Sequence, residues 1–194
     1  MNENKKQILE YIKNIDKIIL DNPSSPSDKY LFHLFPFGER GTQLPFELIN
    51  LIKEELKSNI LNFCDSPSQI ITLEPGGNQW ALLMANELRL DLYIARYNKK
   101  FNISASAEIK NKYSIKNMYF PTMPNKKTIL IDDVISSGKT VEATIKYYKS
   151  ININISAVFV ISIKSLEYKK LLDIYNIPIY FILLEDGMFP IAQR

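Results

Sequence analysis

Apolar residues recur at helical spacing near the start of the chain, which predicts an amphipathic helix over residues 5–20. Two prolines among serine and aspartate residues then predict a loop over residues 21–29. A dense aromatic segment, residues 30–37, follows that loop. A second helix is predicted over residues 42–56, with Pro45 in its first turn. Proline is tolerated there because backbone N–H groups of the first turn have no partner within the helix.

From residue 69 onward, short apolar runs alternate with helix-like segments. The predicted strands are 69–73, 92–95, 128–131, 153–163 and 178–184. The predicted helices after the first, third and fourth of these strands end near residues 88, 149 and 175. Residues 97–127 interrupt the rhythm, because they are polar and poorly periodic, with a short hairpin indicated only around residues 113–120. This alternation predicts an α/β fold with a mostly parallel, twisted sheet flanked by helices.

Residues 128–140 combine an apolar strand, two acids and a turn rich in serine and glycine. The strand leads into Asp132 and Asp133, and the turn leads into a helix. Backbone N–H groups of such a turn and of the helix N-terminus bind phosphate, and paired carboxylates suit sugar hydroxyls or a hydrated divalent cation. Ligands of open α/β sheets bind at this end of the strands, so the pattern predicts a phosphorylated sugar rather than a simple capped turn.

A Walker A loop is the nearest rival to this motif. It requires a glycine five residues before the Gly138-Lys139 pair, and Asp133 occupies that position. The pattern therefore does not favour a P-loop nucleotide site.

The acidic pair followed by Ser136, Ser137, Gly138, Lys139 and Thr140 resembles the PRPP-binding signature of type I phosphoribosyltransferases. PRPP is 5-phosphoribosyl 1-diphosphate. The resemblance implies that Asp132 and Asp133 contact the ribose hydroxyls and that residues 136–140 hold the 5-phosphate. The layout is most similar to the adenine and xanthine branch of purine salvage. It implies transfer of the phosphoribosyl group to a nucleobase, giving a nucleoside 5-monophosphate and pyrophosphate.

A second turn at a strand end completes the resemblance. The residues of this turn are Glu74, Pro75, Gly76 and Gly77. In type I enzymes such a turn binds pyrophosphate, often through a non-proline cis peptide, and Pro75 stands where alanine or lysine is common. The resemblance further implies that the long segment closes over PRPP and that Arg96, Lys99 and Lys100 neutralise the leaving pyrophosphate, with Lys100 counted among the catalytic residues.

The resemblance implies a hood over the base, built from the N-terminal segment and the C-terminus. Phe35, Phe37 and Phe189 are its candidate base-stacking residues, although dense aromatics also suit a core or a subunit interface. Glu108 is a weaker candidate as proton donor to a purine nitrogen. Mg²⁺ is the expected cofactor, held mainly by PRPP, pyrophosphate and water, so no side chain is assigned as a metal ligand. His33 is the only histidine, which excludes a histidine-based metal cluster.

Length and composition bound the remaining possibilities. The 194 residues predict one domain, with residues 1–60 forming N-terminal helices and the hood and residues 69–185 forming the PRPP-binding core. A net charge of +3 with scattered basic residues does not favour a nucleic acid partner. A single cysteine, Cys64, and the lack of a signal peptide or a membrane-length apolar run favour the cytoplasm. The resemblance implies a homodimer that binds PRPP and a nucleobase.

Three other functions remain open at this point. Orotate-type enzymes share the PRPP motif and differ in the base. A PRPP-sensing regulator would keep the motif without catalysis, although residues 1–45 are short for a DNA-binding domain and lack a concentrated basic face. A catalytically idle family member is the third alternative.

Overall fold

The structure is a computed structural model that describes residues 3–13, 17–22, 25–33, 44–97, 103–110, 115–164 and 166–184. Within residues 17–33 and 103–116 only the backbone is described. The helices α1 to α5 are Glu3–Lys13, Phe46–Phe63, Asn78–Leu88, Lys139–Ser150 and Lys169–Tyr175. The strands β1 to β9 are Lys17–Asn22, Ser25–His33, Gln69–Leu73, Asp91–Ala95, Ile103–Lys110, Ile115–Pro121, Thr128–Ile135, Ile155–Ile163 and Ile179–Leu184.

Five parallel strands form the central sheet, in the order β4-β3-β7-β8-β9. Successive side chains of a strand point to opposite faces, and here both faces are buried. Ile70, Ile129 and Ile131 pack with α1, α2 and α3 on one face. Ile71 and Leu130 pack with α4, α5 and β6 on the other. The predicted α/β class is confirmed.

The sequence-based prediction of β3 coincides with the strand in the structure, whereas β7 runs four residues further than predicted, to Ile135. The reason is the neighbouring strand: β8 pairs with Asp132, Val134 and Ile135 and keeps them extended. The acidic pair therefore lies inside the strand, and the serine-rich turn begins directly after it.

The predicted helix over residues 5–20 is wrong in its second half. Helix α1 ends at Lys13, and β1 and β2 form an antiparallel hairpin that also replaces most of the loop predicted over residues 21–29. The β-branched Ile18 and Ile19 fit a helical period but also favour a strand, and Ile18 pairs with Phe32.

The long segment before β7 carries a larger hairpin than the sequence indicated. Strands β5 and β6 pair from Ile103–Pro121 to Lys110–Ile115. The base of β6 is fixed to α4, because the Phe120 ring stacks on Tyr147 with centroids 4.5 Å apart and the Tyr148 hydroxyl donates to the Pro121 carbonyl at 3.0 Å. Among the described helices, none has the length and apolarity needed to cross a membrane.

Candidate active site

The glycine turn and the acidic pair lie against each other at the carboxyl ends of β3 and β7. These strands are neighbours, and the Thr72 hydroxyl ties them together by donating to the Ile131 carbonyl at 2.8 Å. A Cβ on Gly76 would overlap the Asp133 carboxylate, and one on Gly77 would lie 2.9 Å from Asp132 Oδ1. Both positions require glycine, because the Asp133 carboxylate occupies the space of a side chain at Gly76, and the Thr72 hydroxyl and Asp132 occupy it at Gly77.

Burial makes the ionised forms of Asp132 and Asp133 energetically unfavourable. Asp132 is 7% exposed and Asp133 is half-buried. Burial first, and then the charge of Asp133, raise the pKa of Asp132 well above its ordinary value. Burial also raises the pKa of Asp133, although hydrogen bonds to its carboxylate and the ammonium group of Lys164 oppose that shift. A cation or hydroxyl donors at this pair would relieve the cost of two negative charges.

Backbone N–H groups stabilise the ionised forms of Asp132 and Asp133. The Asp133 N–H donates to Asp132 Oδ1 at 3.0 Å, and the Val134 N–H donates to Asp133 Oδ1 at 2.7 Å. These bonds hold the first oxygen of each carboxylate and orient the side chains. The structure thus fixes both acids at the end of the sheet where the sequence predicts a ribose.

The turn after β7 has the features of a phosphate site. Gly138 adopts φ 73° and is the N-cap of α4, where the Glu142 N–H donates to the Gly138 carbonyl at 2.8 Å. Ser136, Ser137 and Lys139 are exposed, and Thr140 is half-buried. Exposed hydroxyls beside a helix N-terminus can donate to phosphate oxygens, which supports the assignment of residues 136–140.

Replacing Gly138 with alanine is expected to weaken both folding and PRPP binding. The left-handed backbone costs a residue with a Cβ about 1–2 kcal/mol. The new methyl group would also lie 2.7 Å from Leu171 Cδ1. Urea denaturation and the KM for PRPP measure the two effects. Ser137→Ala is the control, because it removes only an exposed hydroxyl and should raise KM without changing stability. Unchanged stability of the Gly138 variant would contradict the strain.

Near the glycine turn, the structure places the cationic side chain of Arg96 and two buried oxygen atoms that accept no hydrogen bond from the described residues. Arg96 Nη1 lies 3.3 Å from Glu74 Oε1, and the Glu74–Pro75 peptide bond is cis. Glu74 Oε2 and Asn78 Oδ1 are buried and have no hydrogen-bond partner within the described residues. Buried acceptors of this kind need a donor, such as water held by a ligand or cation.

The acceptors at this edge fit a hydrated magnesium ion. Within the described ranges, no three acidic, histidine or cysteine side chains converge as a metal cluster. The desolvated Asp132 and Asp133 and the unpaired oxygens of Glu74 and Asn78 can instead accept from metal-bound water. Mg²⁺ keeps several waters and binds through substrate phosphates, so these residues suit it.

Several residues singled out from the sequence lie outside the described part of the chain. Lys99, Lys100, Phe35, Phe37 and Phe189 all fall there. For Glu108 the structure describes only the backbone, in β5. Their assigned roles stay predictions.

Lys164 belongs to the site, although the sequence reasoning missed it. Its backbone N–H donates to the Ile135 carbonyl at 2.9 Å, which places it just beyond the carboxyl end of β8. Its side chain is close enough to lower the pKa of Asp133. A lysine directly after a buried strand, beside the strand that carries the motif, was the signal that could have identified it.

Comparison with known proteins identifies the family. A sequence model described as "Phosphoribosyl transferase domain" matches residues 46–180. An adenine phosphoribosyltransferase of Helicobacter hepaticus is 29% identical over 140 residues, which cover 67% of this chain and 74% of that protein. The match to the family model spans β3, the glycine turn and the acidic motif.

Solved structures share the fold at lower identity. Adenine phosphoribosyltransferase from Thermoanaerobacter pseudethanolicus superposes with a TM-score of 0.71 at 20% identity, covering 91% of this chain and 99% of that one. The Trypanosoma brucei enzyme, solved with AMP, pyrophosphate and ribose-5-phosphate, gives 0.71 at 18% identity, covering 95% and 80%. These likenesses confirm the predicted architecture.

Proposed function

This chain belongs to the phosphoribosyl transferase domain family, and from that premise we propose that it transfers the phosphoribosyl group of PRPP to a purine base. The products are a nucleoside 5-monophosphate and pyrophosphate. One observation carries the proposal: the glycine turn packs directly on the acidic pair, beside the phosphate-type turn that begins α4. A donor with a phosphate at each end of its ribose matches that arrangement.

Each part of the site has one task in this reaction. Asp132 and Asp133 accept hydrogen bonds from the ribose hydroxyls, and residues 136–140 donate to the 5-phosphate. The glycine turn, Arg96, Lys99 and Lys100 bind the pyrophosphate. A ring nitrogen of the base bonds to C1 as the C1–O bond breaks, the electron pair of that bond leaves with pyrophosphate, and the base gives up one proton to water. The protein contributes positioning and electrostatic stabilisation of the charge that develops on the leaving group.

Magnesium belongs to the proposal as the ion carried by PRPP. It would supply positive charge against the pyrophosphate and the ribose hydroxyls. Asp132, Asp133, Glu74 and Asn78 would accept from its waters. Stacking of the base on Phe35, Phe37 or Phe189, a homodimer and a cytoplasmic location complete the proposal.

The substrate is either adenine or a purine with a carbonyl oxygen. The relatives named above act on adenine by name, which favours adenine. Lys164 can donate to the carbonyl oxygen of an oxopurine but cannot accept from the amino group of adenine, because an ammonium group donates hydrogen bonds and accepts none. Its position beside Asp133 places that charge near the ribose.

Pyrophosphate release from PRPP, measured across adenine, hypoxanthine, guanine, xanthine and orotate, tests the proposal. We expect turnover with one purine class and none with orotate. If that class carries a carbonyl, Lys164→Met should raise the KM for the base by about tenfold or more, the scale of one lost charged hydrogen bond. If adenine is the substrate, that KM should change little.

The control and the contrary outcomes are distinct. Asp133→Asn should abolish most turnover with any base. Turnover with orotate alone would favour the orotate-type alternative. PRPP binding without turnover of any base would contradict the enzyme and favour a sensor.

A further inference from the structure

Arg96 is fixed at both ends where three segments of the chain meet. Its backbone N–H donates to the Tyr119 carbonyl at 3.0 Å, and the Tyr119 N–H donates back to the Arg96 carbonyl at 2.7 Å. These bonds join the end of β4 to β6. Its guanidinium group meets Glu74, whose own backbone N–H donates to the Ala95 carbonyl at 2.9 Å. The carboxylate therefore determines where the guanidinium group points.

Charge excludes Glu74 as a direct ligand of pyrophosphate. An ionised carboxylate only accepts hydrogen bonds, and pyrophosphate oxygens also accept and are negative. Arg96 differs, because its guanidinium group carries five N–H donors and its contact with Glu74 is made through Nη1. The Arg96 side chain is 36% exposed, so an anion at the glycine turn can reach it.

We propose that Glu74 is a positioning residue that holds the guanidinium group of Arg96 toward the pyrophosphate of the substrate. The inference rests on the proposed function and changes one part of it: Glu74 acts through Arg96 rather than by contact with pyrophosphate. Pairing with a fixed carboxylate reduces the rotamer freedom that Arg96 would otherwise lose on binding. We therefore expect Glu74 to affect the binding of pyrophosphate and not the binding of the base.

The test runs the reaction backward, from nucleoside monophosphate and pyrophosphate. Glu74→Ala should raise the KM for pyrophosphate about tenfold, the scale of one charge-assisted hydrogen bond, and change the KM for the monophosphate less than about twofold. Glu74→Gln keeps an acceptor without the charge and should fall between. Arg96→Ala should lose at least as much pyrophosphate affinity, and the double variant should lose no more than Arg96→Ala alone.

Glu87→Ala is the matched control, since Glu87 also forms an ion pair with a basic residue, Lys57, but on α3 away from the site. It should leave both KM values unchanged. Equal increases in the two KM values for Glu74→Ala, or additive losses in the double variant, would overturn the inference. Either result would show that Glu74 stabilises the local fold rather than positioning Arg96.

Direct calorimetric titration with Mg²⁺-pyrophosphate separates this inference from the proposed function. If the wild-type protein turns over no base, the reaction proposal fails. The same four variants still report whether pyrophosphate affinity depends on Glu74 through Arg96. Weaker binding for Glu74→Ala that disappears in the Arg96→Ala background supports the inference, and equal binding of all variants overturns it.

Discussion

Asp132→Asn is expected to stabilise the ligand-free protein at neutral pH and to reduce kcat/KM by about two to three orders of magnitude. The loss of activity follows from the proposed function, in which Asp132 would meet the ribose hydroxyls and the waters of a magnesium ion. The gain in stability follows from the raised pKa of Asp132, because the folded protein must bury a carboxylate that the unfolded chain exposes to water. Asparagine retains an oxygen that can accept from the Asp133 N–H.

The raised pKa of Asp132 also determines how the free energy of unfolding changes with pH. Between the ordinary pKa of 3.8 and the higher folded pKa, the folded protein binds more protons than the unfolded chain. The free energy of unfolding therefore falls as pH rises through that window, and Asp132→Asn should flatten the fall.

Urea denaturation from about pH 4 to about pH 8 measures the change in the free energy of unfolding. Asp91→Asn is the control, since Asp91 is an exposed acid paired with Lys126 at 3.1 Å and should change neither activity nor the slope with pH. A less stable Asp132→Asn protein at neutral pH would contradict the cost assigned to burial.

Gly76→Ala is expected to reduce PRPP turnover strongly and to destabilise the fold. The added methyl group would overlap the Asp133 carboxylate, which would have to move away from the ribose position. Overpacking of this kind costs about 1–3 kcal/mol, and displacement of a positioned carboxylate costs about two orders of magnitude in kcat/KM. Thermal unfolding and pyrophosphate release measure the two losses.

The double variant Gly76→Ala/Asp133→Ala tests the contact itself. Truncating Asp133 empties the space that the new methyl group needs, so the double variant should be more stable than Gly76→Ala, while its activity stays low. If removal of the Asp133 carboxylate left the stability of Gly76→Ala unchanged, the close approach of turn and acid would not be the cause of the defect.

The central sheet could be predicted from the sequence because its strands are buried on both faces. Residues 69–73 and 128–131 are short apolar runs followed by acids, glycines or serines, and few other structures suit such a pattern. The N-terminal hairpin could not be predicted in the same way. Ile18 and Ile19 fit both a helix and a strand, and the choice depends on pairing with residues 25–33.

The candidate site was predictable in its parts, whereas its assembly was not. The sequence identified the acidic pair and the glycine turn separately and gave the glycines the task of approaching an anion. The structure adds that Gly76 makes room for Asp133 and that Gly77 makes room for Thr72 and Asp132, which depends on β3 and β7 being neighbours. Lys164 was missed for the same reason, because only strand order brings it beside Asp133.

The pairing of β3 with β7 also has a consequence for how the chain folds. Gln69–Thr72 pair with Thr128–Ile131, so the whole β4–β6 region must be enclosed in a loop before this pairing forms. Such nonlocal pairing is slow, whereas the hairpins can form from local contacts. We expect the ligand site to be completed only as the sheet itself closes. The paired backbone amides of β3 and β7 beneath the site then belong to the slowest-exchanging part of the molecule, and local fraying cannot open the acidic pair without unfolding the centre of the sheet.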